Sequence, residues 1–412
     1  MLVASVVLVG TLDTKGEEYE FLRERLRERG VETILVDAGV FEPAGARPDV
    51  ERAEVARAAG ETVERLASDR DRGRAVETMS RGAAEVARQL HADGRLDGIL
   101  ALGGSGGSAL ASRAMQALPV GVPKLLVSTV ASGDTRPYVG ATDVTMMYSV
   151  VDIAGINSVS ARILTNAAGA ISGMVQAEPP ELGETRPLVG ASMFGVTTPA
   201  VDAARKKLDA LGYEVLVFHQ TGTGGESMEA LCRDGYLSAT LDITLTEFAD
   251  RLVGGVFPAG ERRLESAGEL GLPQVVSLGA LDMVNFGPLE SVPERFRHRN
   301  LYRHNPTVTL MRTTPEECAE LGRLVARKLN AARGPVTLFV PLGGVSAIAT
   351  EGQPFYDPEA DRALFDAVRD EISGDVEVVE METDINSPAF AEAMARRLDE
   401  YLRGEAGERG RT

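Results

Sequence analysis

The stretch DGILALGGSGGSALASRAMQALPVGVPKLLVS (97–128) decides the fold. Asp97–Leu102 and Lys124–Ser128 are short apolar runs of the kind that buried strands need. Between them the glycine loop Gly103-Gly-Ser-Gly-Gly-Ser108 opens a helical pattern over Ser108–Ala117. A strand, a loop, a helix and a second strand make one βαβ unit, and the two strands of such a unit lie parallel.

The same grammar extends outward on both sides. Leu2–Val9 and Thr33–Val36 read as strands around a helix over Gly16–Arg29, with Leu22 and Leu26 one turn apart and Gly30 as its stop. Helices follow over Val50–Ala67 and Ala75–His91. Asn157–Gln176 is a further helix, whose Gly169 and Gly173 have the spacing that lets another backbone come close. The polar, proline-bearing run Glu178–Pro187 then breaks the pattern. Beyond it the order restarts, with a strand over Leu188–Phe194, a helix over Ala200–Leu211, Gly212, and a strand over Tyr213–His219. More strands are expected at Ala239–Ile243, Gln274–Leu278, Thr307–Met311, Val336–Val340 and Val376–Glu380. Helices fit Pro315–Asn330, Pro358–Glu371 and Pro388–Arg403. The expectation is an α/β chain of two Rossmann-like domains, with mostly parallel sheets flanked by helices. Their bounds are 1–177 and 188–403, with a linker over 178–187 and a disordered tail over 404–412.

Composition narrows the functions. The 412 residues carry 44% hydrophobic and 25% charged residues, enough apolar material for two cores. A net charge of −18 opposes nucleic-acid backbones and anionic membranes, so neither is an expected partner. A phosphate-bearing ligand must then be held locally, by backbone N–H groups, a metal or a few placed cations. Two cysteines exclude a disulfide framework, and the N-terminus lacks the basic segment of a signal peptide; a cytoplasmic protein is expected. Trp is absent, and no apolar run is long enough to span a membrane.

In parallel sheets ligands sit beyond the carboxyl ends of the strands, so the loops there carry the candidates. After the first strand come Gly10, Thr11, Asp13, Thr14 and Lys15, offering close backbone approach, two hydroxyls, a carboxylate for Mg²⁺ and a cation. Capping of the next helix would explain Thr11 or Asp13 equally well. The loop Gly103, Gly104, Ser105, Gly106, Gly107 is the strongest signal, because a structural turn needs one or two glycines rather than four. Its alternative is close packing of a helix on a strand. The next strand end carries Ser128, Thr129, Ser132, Gly133, Asp134 and Arg136. Here Asp134 is the second candidate Mg²⁺ ligand and Arg136 a candidate phosphate fork, unless the two pair with each other. In the second half Gly222, Thr223, Gly224 and Gly225 repeat the anion-cradle pattern, and His219 just before them is a candidate general acid or base. No hydrolase elbow, H-E-x-x-H motif or His/Cys zinc cluster occurs.

Taken together, VGTLDTKG (9–16), ALGGSGG (101–107), VSTVASGDTRPYVG (127–140), FHQTGTGGESME (218–229), SLGALDMVNFG (277–287) and PLGGVSAI (341–348) resemble an uncharacterised bacterial family. NSVSARILTNAAGAISGM (157–174) and RHNPTVTLMRTT (303–314) extend the likeness over nearly the whole chain. That family is similar to the ATP-binding N-terminal domain of the tomato mosaic virus resistance protein. The resemblance implies a nucleotide, ATP with Mg²⁺, and a homodimer. It also implies a barrel-fold partner like the phosphoenolpyruvate mutases and hydrolases, fused in plants and absent from this chain. The function expected is therefore ATP binding through glycine-rich strand-end loops, with no reaction assigned and enzyme status open. Two alternatives stand beside it: a metabolic enzyme acting on a small carboxylate or phosphate between the domains, with His219 as base and Arg136 as clamp, and a regulatory subunit of the barrel partner.

Overall fold

A computed structural model describes residues 3–178 and 185–404. The chain divides into two compact units, Met1–Glu181 and Leu182–Thr412. Most of the expected linker and nearly all of the expected tail lie outside the described residues. Among the described residues no helix is long and apolar enough to cross a membrane.

The first unit runs β1 (Ser5–Gly10), α1 (Leu12–Arg27), β2 (Glu32–Asp37), α2 (Arg52–Ala58), α3 (Val63–Asp69) and α4 (Arg72–Ala92). It continues through β3 (Gly98–Gly103), α5 (Ser105–Gln116), β4 (Lys124–Ser128), α6 (Arg136–Val139), β5 (Thr145–Tyr148) and α7 (Ser158–Gln176). The five strands pair in parallel in the order β2-β1-β3-β4-β5. Side chains alternate between the faces, as the strand period of two dictates. Val7 and Val9 pack with Met79 and Leu110 beneath α4 and α5, while Val6 and Leu8 pack with Leu22 and Leu26 of α1 and Ala168 and Ile171 of α7. Both faces are covered, which explains the continuous apolar runs.

The second unit begins with β6 (Leu188–Met193), α8 (Thr198–Ala210), β7 (Glu214–His219), α9 (Thr223–Arg233), β8 (Ala239–Thr244) and α10 (Thr246–Val253). Then come α11 (Ser266–Glu269), β9 (Gln274–Gly279), β10 (Met283–Phe286), β11 (Leu301–Asn305), β12 (Val308–Arg312) and α12 (Pro315–Asn330). It ends with β13 (Val336–Pro341), α13 (Pro358–Glu371), β14 (Glu377–Met381) and α14 (Pro388–Leu402). Six strands form a parallel sheet in the order β14-β13-β9-β8-β6-β7. Counted along the chain within each parallel sheet, both open as strand two, one, three, four, five. The repeat of strand, turn, helix and glycine thus corresponds to one shared topology.

The structure departs from expectation in four places. The helix expected over Val50–Ala67 is two short ones, because Gly60 takes a positive φ of 79° between them. β5 is a four-residue edge strand, too short to stand out as a pattern. The strand expected at Thr307–Met311 is the centre of a separate antiparallel sheet, β10-β12-β11, inserted between β9 and β13. On α7 the buried face is Leu164, Ala167, Ala168 and Ile171, whereas Gly173 is exposed with open space where a side chain would be. Within this unit, among the described residues, neither Gly169 nor Gly173 is pressed against another helix's backbone.

Candidate functional site

The strand order two-one-three reverses direction at β1, and in such sheets the loops beyond β1 and β3 frame a crevice. Here β1 pairs with β3 only through Val6, Val7 and Leu8, although both strands run further. Beyond Leu8 they part. Tyr19 from α1 enters the gap: its hydroxyl donates to the Val9 carbonyl at 2.5 Å and accepts from the Leu102 amide at 3.0 Å. The ring is fully buried, and burial raises the phenol's pKa above its ordinary value, so it stays protonated as a donor.

Above this tie lies a cavity of about 740 Å³, within the range of roughly 300–1,000 Å³ usual for small-molecule sites. Thr11, the N-cap of α1, lines it with Asp13 and Thr14 of that helix's first turn, and the first turn of α5 contributes Gly106 and Gly107. Gly39 and Phe41 follow β2, and Arg70 and Arg72 come from the junction of α3 and α4. The wall between them is apolar, including Val40, Leu66, Val76, Met79 and Leu110. Phe41 stands at the rim with 64% of its surface exposed. Of the residues singled out in the sequence, the fold brings together these five from two segments nearly a hundred positions apart.

The glycines separate into two kinds. A Cβ on Gly10 would run into the Tyr19 ring, and one on Gly103 would lie 2.8 Å from the Gly107 Cα. Those two are packing glycines. A Cβ on Gly106 would meet nothing nearer than the Arg72 guanidinium at 3.8 Å, and one on Gly107 only the Leu102 carbonyl at 3.5 Å. Neither has a positive φ, and each stands where alanine would make a better helix by about 1 kcal/mol. Their missing side chains leave room over the first turn of α5, whose Gly104 cap supplies no side-chain hydrogen bond. Helix amides left without partners attract anions.

Asp13 accepts the Phe41 amide at 3.2 Å through Oδ2, while its Oδ1 is buried without a partner. One carboxylate, with water and ligand phosphates completing the shell, is a common way to hold Mg²⁺, so Asp13 fits that ion. Nearby Asp37 is a structural tie: Oδ1 accepts from the Leu12 and Gly39 amides at 3.2 and 2.8 Å, and burial raises its pKa. Among the described residues no group of three His, Cys, Asp or Glu could hold a metal.

The other sequence candidates fall elsewhere. Lys15 is a kink in α1 (φ −132°) and does not line the cavity. Gly104 is the N-cap of α5 and Ser105 its first residue, neither of them lining the cavity, and Thr129 Oγ1 lies 3.7 Å from the Cβ position of Gly104. Ser128 is buried, its Oγ 2.7 Å from that of Ser108. Ser132 and Gly133 form an exposed turn. Asp134 and Arg136 close on each other through Nε at 2.9 Å and Nη2 at 2.7 Å, both exposed. The guanidinium holds the Asp134 carboxyl down at about 2. Asp134 and Arg136 thus pair with each other, the alternative that the sequence left open, and neither lines the cavity.

The second glycine loop is a correction of a different kind. Two of its amides are already taken by the chain's own Glu247, whose Oε1 accepts from Gly222 at 2.7 Å and Gly225 at 3.3 Å. Gly225 makes room for that carboxylate and for Arg263, and Gly224 for the His219 carbonyl. Thr223 is the exposed first residue of α9. Arg263, 1% exposed, also reaches Glu229 and Asp242. Gly222 and Gly225 are thus part of the wall of a buried ionic cluster, while Thr223 and Gly224 do not touch it. His219, in this second unit, is exposed, its ring 5.4 Å from that of Phe194.

Phe41, Arg70 and Arg72 were not read from the sequence as site residues. The run Ser68-Asp-Arg-Asp-Arg-Gly-Arg74, between two helical patterns, was the available signal for the arginines.

Two family models cover the chain: the uncharacterised protein family UPF0261 matches with its N-terminal domain over residues 4–180 and its C-terminal domain over 186–402. A UPF0261 protein of Clostridium tetani is 54% identical over 394 residues, 95% of this chain and 98% of that protein. A ToMV resistance protein of Solanum lycopersicum is 40% identical over 381 residues, which are 87% of this chain and 50% of the tomato protein. Among solved structures, the UDP-N-acetylglucosamine 2-epimerase of Rickettsia bellii aligns with 100% of this chain and 99% of that one, at 11% identity and a TM-score of 0.23. That likeness is too remote to bear on the chemistry.

Proposed function

The chain belongs to the uncharacterised protein family UPF0261, and we propose that its N-terminal unit binds a nucleotide, ATP with Mg²⁺, in the cavity beyond β1, β2 and β3. The observation that carries this is the pair Gly106 and Gly107: neither packing nor backbone conformation requires glycine there, and both open onto the cavity. The phosphates would lie over the first turn of α5, against amides that the helix itself leaves unpaired. The base and sugar would take the apolar wall, with the Phe41 ring at the rim as a stacking surface. Mg²⁺ would be held by Asp13 and phosphate oxygens, and would offset phosphate charge in a chain of net −18.

Calorimetric titration of the full chain with Mg-ATP tests the proposal. Saturable heat and a raised melting temperature are expected; no heat and no shift at millimolar ligand would end it.

A further inference from the structure

Arg70 and Arg72 stand at the cavity rim as exposed guanidiniums, with no ion pair or hydrogen-bond partner among the described residues. The carboxylates of their own segment are committed elsewhere. Asp69 and Glu61 are paired with Arg74, and Asp71 caps α4 by accepting the Arg74 amide at 3.0 Å. Arg70 closes α3 with a left-handed φ of 52°, and Arg72 is the first residue of α4. The Arg72 guanidinium lies 3.8 Å from the Cβ position of Gly106, so it faces the first turn of α5.

The counterpart place in the second unit sharpens the point. The helix after the third strand of that unit is α10, whose second residue is Glu247, where α5 has Gly106 as its second. There a buried carboxylate is met by the guanidinium of Arg263. In the first unit an exposed guanidinium stands beside that helix and the carboxylate is missing, which leaves room for a negative partner from outside.

A helix N-terminus amounts to about half a positive charge, and so answers a single phosphate. Further phosphates, in a chain this acidic, need cations, and the planar guanidinium fork suits them. Resting on the nucleotide reading above, we infer that Arg72, with Arg70 beside it, reads how many phosphates the nucleotide carries. Nucleoside di- and triphosphates then bind ahead of monophosphates.

The experiment titrates AMP, ADP and ATP into the full chain, as wild type, R72A, R72K and R70A. Wild type is expected to bind ATP at least about tenfold more tightly than AMP, a step of about 1.4 kcal/mol. R72A should lose most of that ratio by weakening ATP while AMP changes little; R72K should fall between, keeping charge without the fork. Arg72 is exposed, so melting curves should match wild type and exclude misfolding. An unchanged ATP-to-AMP ratio in R72A, or an equal loss for both ligands, overturns the inference while leaving the cavity's nucleotide intact. If wild type binds none of the three, the nucleotide reading falls and this one with it.

Discussion

Glu247 accepts the Gly222 amide at 2.7 Å, so the C-terminal unit fills with its own side chain the kind of glycine turn that elsewhere takes an anion. Two glycine-rich loops that look alike in sequence are therefore opposites in structure. One is occupied from within; the other opens onto a hollow.

The occupied loop gives a pH prediction. Burial pushes the Glu247 carboxyl up to about 7 from an ordinary 4.5, against the opposing pull of Arg263 and the two amides. A raised folded value means that the native state binds the proton more tightly than the unfolded chain does. The added stability is complete below about pH 4.5 and is lost as pH rises through about 7, an effect of at most about 3 kcal/mol. Melting curves between pH 5 and 8 should show the second unit weakening, and E247Q should flatten that slope. An equally steep slope in E247Q would assign the titration to another group.

The open loop predicts a separation of stability from binding. G106A and G107A place a methyl where the protein has space, and helix propensity favours alanine by up to about 1 kcal/mol. Melting temperatures should hold or rise, while Mg-ATP affinity falls, and G106V should weaken it further. Undiminished affinity in G106V would remove α5 from the site.

The third prediction concerns residues that sequence chemistry favoured and geometry does not. R136A removes an exposed ion pair of the class worth about 0–1 kcal/mol. H219A removes a ring that stacks on Phe194 in the other unit. Both variants should bind Mg-ATP within about twofold of wild type by calorimetry; a tenfold loss in either would return that residue to the site.

Much of the fold was legible because parallel strands buried on both faces write themselves as continuous apolar runs, and glycines mark where helices stop. That the segments after β1 and β3 would come together was legible for the same reason, since both leave the carboxyl ends of neighbouring strands. What could not be read was which atoms would meet. Asp134 and Arg136 are two residues apart and offered both a clamp and a self-contained pair; only the observed forked contact decides. Glu247 lies 22 residues beyond Gly225, and nothing local announces that it will fold back onto that amide. Arg70, Arg72 and Phe41 reach the cavity from helix junctions and a strand end whose patterns carry no chemical motif.

Tyr19 has a consequence for how the hollow behaves before anything enters it. Its hydroxyl is a cross-tie between β1 and β3 at the point where they diverge, and the ring belongs to the helix that immediately follows β1. The separation of the two strand ends is thereby tied to the buried core. For the binding proposed above, a ligand would meet strand ends already fixed, and less of its attraction would go into ordering them.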